Sequence, residues 1–154
     1  MNTTWTSPIT PVTPNLKGYI TIIAVMDEII DNLWVGTATE VIGGGPWDGW
    51  MLLCVLEELP SGIGGDNVVH LPVYDPPTGR AIDENLDLAA TYIHLWLTAG
   101  CKVLVFCAQG VERSPLTVAY YLSRVRGITL GEAYNIIRRA RPIVADRSSW
   151  LTAT

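Results

Sequence analysis

The sequence of 154 residues has few charged side chains and no long apolar run. Charged residues make up 16% and hydrophobic residues 49% of the chain, which argues against disorder and favours one compact core. No apolar stretch approaches the roughly 20 residues that a membrane-spanning helix needs, so we predict no membrane contact. The first residues lack the basic region and the cleavage site of an export signal, so we expect a cytoplasmic protein.

Cysteine and histidine are also scarce. The three cysteines form an odd set without paired spacing, which favours free thiols in a reducing compartment over a disulfide framework. The two histidines, His70 and His94, have no neighbours typical of metal ligands. We therefore predict that the protein uses no metal and no other cofactor.

Basic residues are nearly absent from the first hundred positions. Residues 1–100 contain two basic and twelve acidic side chains, whereas residues 101–154 contain eight basic and three acidic ones. The excess of basic residues in 101–154 thus predicts that this part attracts a phosphorylated ligand, although the net charge of the whole chain is −5. The alternative is that Arg138, Arg139 and Arg141 are only the solvated C-terminal end of a helix.

Turn residues and hydrophobic periodicity divide the chain into alternating strands and helices. Residues 1–14, rich in Thr and Pro, are predicted to form a flexible arm before a single domain at 15–154. The order of elements predicts an α/β fold. The predicted elements are an added strand at 18–26, a hairpin at 28–36, a short helix at 37–42, strands at 51–56, 68–74 and 103–107, and helices at 83–99, 114–126 and 129–141.

The most informative segment begins with an apolar, β-branched run that ends at Cys107. Arg113 and Ser114 follow after a short loop, and an apolar helical pattern continues behind them. This order predicts a strand, a tight loop and a helix, whose loop amides and N-terminus form an anion site. A thiolate in that site is stabilised and suits attack on a phosphate. The alternative is a small buried hydrophobic cysteine, which is the usual case.

A second chemical group lies upstream, where the strand predicted at 68–74 ends in Asp75, followed by Pro76 and Pro77. The prolines stiffen the backbone at the start of a loop. Cleavage of a phosphate ester needs a proton for the leaving oxygen, so a carboxyl group on a loop is the expected partner of a thiolate. The alternative is that Asp75 only opens a turn.

Together these motifs resemble the dual-specificity branch of the cysteine-dependent protein tyrosine phosphatases. The resemblance runs from about Met26 to Leu151 and includes residues 30–36, similar to the opening hairpin of the family. Residues 127–133 and 141–143 are similar to its last helices. The resemblance implies a central mixed sheet flanked by helices, with a phosphate-binding loop between a strand and a helix.

The chemistry and the resemblance give each site residue a predicted role. Cys107 is the nucleophile that forms a phospho-cysteine, and Arg113 grips two phosphate oxygens. Asp75 protonates the leaving oxygen and then activates water. The resemblance implies that Ser114 hydrogen-bonds the sulfur and helps it leave, although a helix cap is also compatible. Backbone amides are predicted to hold the phosphate oxygens: those of Ala108, Gln109, Gly110, Val111, Glu112 and Arg113.

Two positions depart from the family pattern. Phe106 stands where the family has histidine, and Glu112 stands where a small polar residue is common. We expect a rate that keeps rising at pH values where relatives have levelled off, unless Phe106 is only a packing residue. The resemblance also suggests a disulfide between Cys54 and Cys107 under peroxide; the alternative is an inert buried Cys54.

The resemblance leaves the substrate open among phosphotyrosine, phosphoserine or phosphothreonine, phosphoinositides and RNA 5′ ends. The loop lacks the lysines that resemble the phosphoinositide branch, and the chain has no obvious basic and aromatic track for nucleic acid. We therefore predict a phosphoprotein or aryl phosphate substrate, and phosphate, vanadate or sulfate anions in the loop. The alternatives are a pseudophosphatase that binds phosphate without turnover and an RNA 5′-triphosphatase. A rhodanese-type sulfur-transfer domain would not explain Asp75 or Arg113.

Overall fold

The computed structural model describes residues 26–76 and 82–152. The arm predicted at 1–14, the strand predicted at 18–26 apart from Met26, and Pro77 lie outside the described residues. Within these two ranges, one sheet of five strands is flanked by four α-helices and a 3₁₀ helix at the end of the second range. The strands are β1 (Asp27–Ile30), β2 (Leu33–Thr37), β3 (Trp50–Cys54), β4 (Val68–His70) and β5 (Lys102–Cys107). The helices are α1 (Ala38–Gly43), α2 (Asp83–Thr98), α3 (Arg113–Arg126) and α4 (Leu130–Ala140), followed by the 3₁₀ helix Ser148–Thr152.

The strand order β1-β2-β5-β3-β4 puts β5 at the centre of the sheet. β1 pairs with β2 in antiparallel fashion, whereas β2–β5, β5–β3 and β3–β4 are parallel pairs. Residues 103–107 are all buried, as expected for a strand covered on both faces. This mixed sheet with flanking helices confirms the predicted fold class.

The side chains of β5 alternate between two hydrophobic clusters. Val103, Val105 and Cys107 belong to the larger cluster, which α2, α3 and α4 cover. Leu104 and Phe106 belong to the smaller cluster on the other face of the sheet, together with residues of β3. Consecutive residues at the end of β5 therefore have different surroundings, and Phe106 packs on the face opposite Cys107.

Capping motifs fix the starts of α1 and α4. The capping box predicted at Thr129 and Glu132 is present, and the same arrangement joins Thr37 to Glu40 at the start of α1. Gly127 ends α3 in the left-handed region, with φ of 74°. None of the helices in the described ranges combines the length and the apolarity needed to cross a bilayer.

β4 ends earlier than the strand predicted at 68–74, because Pro72 has no N–H to donate. The segment still follows β3: the amide of Leu71 donates to the carbonyl of Cys54 at 2.9 Å, and the amide of Val73 donates to that of Val55 at 3.0 Å. Because β3 lies beside β5, this path leads the chain to the loop that follows β5.

Candidate active site

The loop of residues 108–112 joins the end of β5 to the start of α3 and wraps around the sulfur of Cys107. The side chain of Cys107 is almost completely buried. The amide of Gly110 donates to its Sγ at 3.2 Å, and Ser114 Oγ lies 3.2 Å from the same sulfur. The sulfur thus lies next to two hydrogen-bonding groups and close to the N-terminus of α3.

A cavity of about 220 Å³, which we call the loop cleft, opens above this sulfur. Most of the predicted anion-binding loop lines the loop cleft, whereas Gly110 instead gives its amide to the sulfur. The lining residues are Cys107, Ala108, Gln109, Val111, Glu112 and Arg113. The structure thus forms a concave site that Arg113 lines at the N-terminus of α3, the setting expected for an anion.

Arg113 links the loop cleft to the segment that follows β4. Its Nε donates to the carbonyl of Val73 at 2.9 Å, and its Nη2 lies 3.4 Å from Asp75 Oδ1. The carboxylate of Asp75 is 43% exposed, so this long ion pair is weak and a bound anion can replace it. A guanidinium has five N–H donors, so Arg113 can keep its bond to Val73 and still bind an anion.

The four predicted catalytic side chains therefore come together around the loop cleft. Cys107 contacts Ser114, Arg113 lines the cleft, and Asp75 reaches it through Arg113. Ser114 is the second residue of α3 rather than its N-cap, which is Glu112, and its hydroxyl contacts the sulfur. The helix-cap alternative for Ser114 is therefore wrong.

The carboxylate of Glu112 forms an ion pair with Arg147, a partner that the sequence did not indicate. Arg147 donates to Glu112 Oε2 from Nε at 3.1 Å and from Nη2 at 2.6 Å. The two residues are 35 positions apart, so no local pattern could indicate the pair. The negative charge of Glu112 is thus balanced by Arg147 rather than directed at the sulfur.

Arg141 supports the loop from the side opposite Arg113. Its Nε donates to the carbonyl of Gly110 at 2.9 Å and its Nη2 to that of Gln109 at 3.1 Å. Its Nη1 donates to Asp27 Oδ2 at 2.7 Å. Arg141 is only 4% exposed, so the alternative that it belongs to a solvated helix end is wrong for this residue.

The position of Arg141 also explains the glycine in the loop. Gly110 has φ of 66°, and a Cβ there would lie 2.7 Å from Arg141 Nη2. Arg138 and Arg139, by contrast, are exposed, in agreement with a solvated helix end. Pro142 explains the difference, because α4 ends just before it and Arg141 leaves the helical path.

Glu40 is a second buried charged group behind the loop that sequence reasoning missed. Its Oε1 accepts a bond from the amide of Thr37 at 3.0 Å, whereas its Oε2 is buried with no hydrogen-bond partner among the residues described. Burial raises the pKa of Glu40 to about 7, and the bond from Thr37 and the charge of Arg141 only partly oppose that effect.

Cys54 lies in the smaller cluster, on the sheet face opposite that of Cys107. Burial raises the pKa of the Cys54 thiol to about 11, so it is neutral near pH 7. All three cysteines are free in the structure. This arrangement favours the inert thiol over the disulfide with Cys107, which stays a prediction for oxidising conditions.

Comparison with known families identifies the domain. Residues 60–152 match the family model described as the catalytic domain of dual specificity phosphatases. Human dual specificity phosphatase 28 is 31% identical over 75 residues, covering 49% of this chain and 42% of that protein. Dual specificity protein phosphatase 18 of Bos taurus is 34% identical over 82 residues, covering 53% of this chain and 43% of that protein. The chain thus matches less than half the length of these two relatives.

Solved structures of low sequence identity share the fold. A mouse protein solved in complex with zinc tungstate superposes with a TM-score of 0.70 at 21% identity, covering 90% of this chain and 89% of that one. Human dual specificity phosphatase 28 superposes with a TM-score of 0.65 at 20% identity, covering 83% of this chain and 88% of that one.

Proposed function

The chain belongs to the dual specificity phosphatase family, and we propose that it hydrolyses phosphate monoesters on proteins through a phospho-cysteine intermediate. Phosphotyrosine is the proposed substrate, with phosphoserine and phosphothreonine as further candidates. The observation on which this depends is the sulfur of Cys107 at the base of the loop cleft, 3.2 Å from both the Gly110 amide and Ser114 Oγ. Arg113 lines that cleft as a cation, and Asp75, 3.4 Å from Arg113 Nη2, is the proposed proton donor.

In the first step the phosphate group binds between the loop amides and Arg113. The sulfur of Cys107 attacks phosphorus and forms the S–P bond, while the bond from phosphorus to the leaving oxygen breaks. Asp75 gives its proton to that oxygen, so the product leaves as a neutral alcohol or phenol. The loop amides stabilise the charge that spreads over the phosphate oxygens.

In the second step water attacks the phospho-cysteine. Asp75, now a carboxylate, accepts a proton from the water, and the S–P bond breaks to release inorganic phosphate. Ser114 Oγ lies within hydrogen-bond distance of the departing sulfur and can donate to it. Each group returns to its starting protonation state, so no oxidant, metal or further co-reactant is needed for this sequence.

A cytoplasmic location is part of the proposal. The three cysteines, all unpaired in the structure, suit a reducing compartment. Imaging of a fluorescent fusion tests the location independently of activity.

The test of the activity uses an aryl phosphate and a phosphotyrosine peptide in the presence of a chelator. We expect turnover by the natural chain and its loss, by at least about 10⁴-fold, in Cys107→Ser. The matched control is Cys101→Ser, at a half-buried cysteine between the turn at 99–100 and the start of β5; it should keep full turnover. Cys107→Ser should still bind vanadate or phosphate, measured by calorimetry.

The alternatives predict other outcomes of the same assay. A natural chain that binds phosphate without turnover would be a pseudophosphatase. Release of phosphate from triphosphorylated RNA, but not from the peptide, would indicate an RNA 5′-triphosphatase. Turnover retained in Cys107→Ser would overturn the assignment of the nucleophile.

A further inference from the structure

A second cavity of about 380 Å³, which we call the side groove, adjoins the loop cleft. Three loop residues line both cavities: Ala108, Gln109 and Val111. The side groove therefore lies next to the proposed phosphate site, and these three residues form the wall that the two cavities share. A peptide whose phosphorylated side chain enters the loop cleft would bring its flanking residues close to the shared wall, and hence to the side groove.

The walls of the side groove are mainly apolar. Ile143 is 61% exposed and is the large hydrophobic side chain on the outer wall, and Val111 and Ala108 form the wall shared with the loop cleft. An isoleucine this exposed gains by covering its surface, because apolar area removed from water lowers the free energy.

The guanidinium of Arg141 also lines the side groove, but its nitrogens already donate hydrogen bonds within the protein. Nε, Nη1 and Nη2 of Arg141 all donate to groups of the protein, namely the carbonyls of Gly110 and Gln109 and the carboxylate of Asp27. A second anion would have to break these bonds to the loop, and Glu40 adds a carboxyl group close to the same guanidinium. The side groove is thus ill suited to a second phosphate.

We propose that the side groove selects substrates in which an apolar residue lies next to the phosphorylated residue, with Ile143 as the determinant. The proposal rests on the proposed phosphatase function and narrows its substrate class to singly phosphorylated, apolar-flanked sites. The occupant is part of the substrate itself, because the two cavities share one wall. Thr39, an exposed hydroxyl residue, lies at the other side of the groove.

The test measures kcat/KM for phosphotyrosine peptides that carry leucine, aspartate or phosphothreonine at each of the two positions before and after the phosphotyrosine. We expect leucine to exceed aspartate by about tenfold at one or more positions, as partial burial of such a side chain would give. Ile143→Asp should bring this ratio close to one, and Ile143→Ala should give an intermediate ratio. The matched control is Leu95→Asp, at an apolar residue of α2 that is 56% exposed; it should keep the natural ratio.

Each other outcome overturns the proposal. Equal rates for leucine and aspartate peptides in the natural chain would do so, and so would a ratio that Ile143→Asp leaves unchanged. A preference for phosphothreonine would show that the groove binds a second anion. An aryl phosphate without flanking residues separates the two proposals: failure to hydrolyse it contradicts the phosphatase function, whereas flat peptide rates beside normal aryl phosphate hydrolysis contradict only the role of the side groove.

Discussion

The two sides of the 108–112 loop contain arginines in opposite situations. On the cleft side, Arg113 is 20% exposed and makes a weak pair with Asp75 at 3.4 Å. On the inner side, Arg141 is 5% exposed in its side chain and makes a pair with Asp27 at 2.7 Å. Arg113 keeps N–H groups available to a ligand, whereas the described bonds of Arg141 engage each of its three nitrogens.

This difference shows that the role of an arginine depends on what its donors already contact. Arg113 can exchange a weak partner for a phosphate, so it suits binding and turnover. Arg141 holds the carbonyls of Gln109 and Gly110, and the amide of Gly110 donates to the sulfur of Cys107. Rigid positioning of the loop from inside lets the outer side bind and release an anion without reorganisation.

The largest expected loss of activity follows a substitution on the cleft side of the loop. Asp75→Asn should lower kcat by about 10²–10⁴, because the leaving oxygen loses its proton donor. The loss should be greatest for alkyl phosphates and smallest for aryl phosphates with acidic leaving groups, measured as kcat across a leaving-group series. Asp83→Asn, at the start of α2, is the matched control and should have little effect. A small and equal loss for every leaving group would make Asp75 only a turn residue and would point to Asp83 or Glu84.

The next effect tests the inner side. Arg141→Met removes three hydrogen bonds and leaves the Asp27 carboxylate without this partner, so we expect a loss of about 3 kcal/mol in the free energy of unfolding. At a temperature where the variant is folded, kcat should fall by about 10²-fold, since the loop amides shift. Arg139→Met, at an exposed residue of α4 two positions earlier in the chain, should change neither quantity. Equal behaviour of the two variants would contradict the supporting role of Arg141.

The sequence predicted most of the fold because its local signals agree. The periodicity of 83–99 and the capping box at Thr129 predicted α2 and α4 to within one or two residues. The apolar run before Cys107 predicted the central strand, since a strand buried on both faces has no polar side. The grouping of Cys107, Arg113 and Ser114 followed from their order along the chain.

What the sequence left unpredicted depends on contacts between distant residues. Asp27 and Arg141 are 114 positions apart, and Glu112 and Arg147 are 35 apart. No periodicity or spacing links such pairs, and a cluster of arginines at a helix end is usually solvated. The burial of Glu40 had no local signal either, because the charged residues that act on its carboxyl, Asp27 and Arg141, are distant in the sequence.

A smaller effect, on the pH dependence of stability, is expected for Glu40, the buried acid near Arg141. Its pKa is raised by burial from 4.5 to about 7 in the folded chain, so its neutral form stabilises the fold below pH 4.5. That contribution falls as the pH rises toward and through 7, because the unfolded chain ionises first. Glu40→Gln keeps the oxygen that caps Thr37 and removes the charge. We expect the free energy of unfolding of the variant, relative to that of the natural chain, to rise by about 2 kcal/mol from pH 5 to pH 8.

Urea unfolding at a series of pH values measures this difference. The matched control is Glu132→Gln, at the exposed capping-box residue of α4, which should follow the pH dependence of the natural chain. Parallel stability curves for Glu40→Gln and the natural chain would mean that the charge of Arg141 fully compensates the burial of the acid.

The smallest expected effect on the reaction is that of substituting Phe106, which packs on the sheet face opposite Cys107. Its ring is fully buried in the smaller cluster, and its neighbours across the sheet are Gly36 and Cys54. Because side chains alternate along β5, the ring faces away from the sulfur of Cys107. Of the two expectations from the sequence, the geometry thus favours the packing residue.

We expect Phe106→His to move the acidic limb of kcat/KM by less than about half a pH unit, since the donors beside the sulfur stay in place. Phe106→Leu controls for the loss of packing, and both variants are assayed where circular dichroism shows them folded. A limb that moves to clearly lower pH in Phe106→His alone would show that a hydrogen-bonding group behind the loop reaches the thiolate through the backbone.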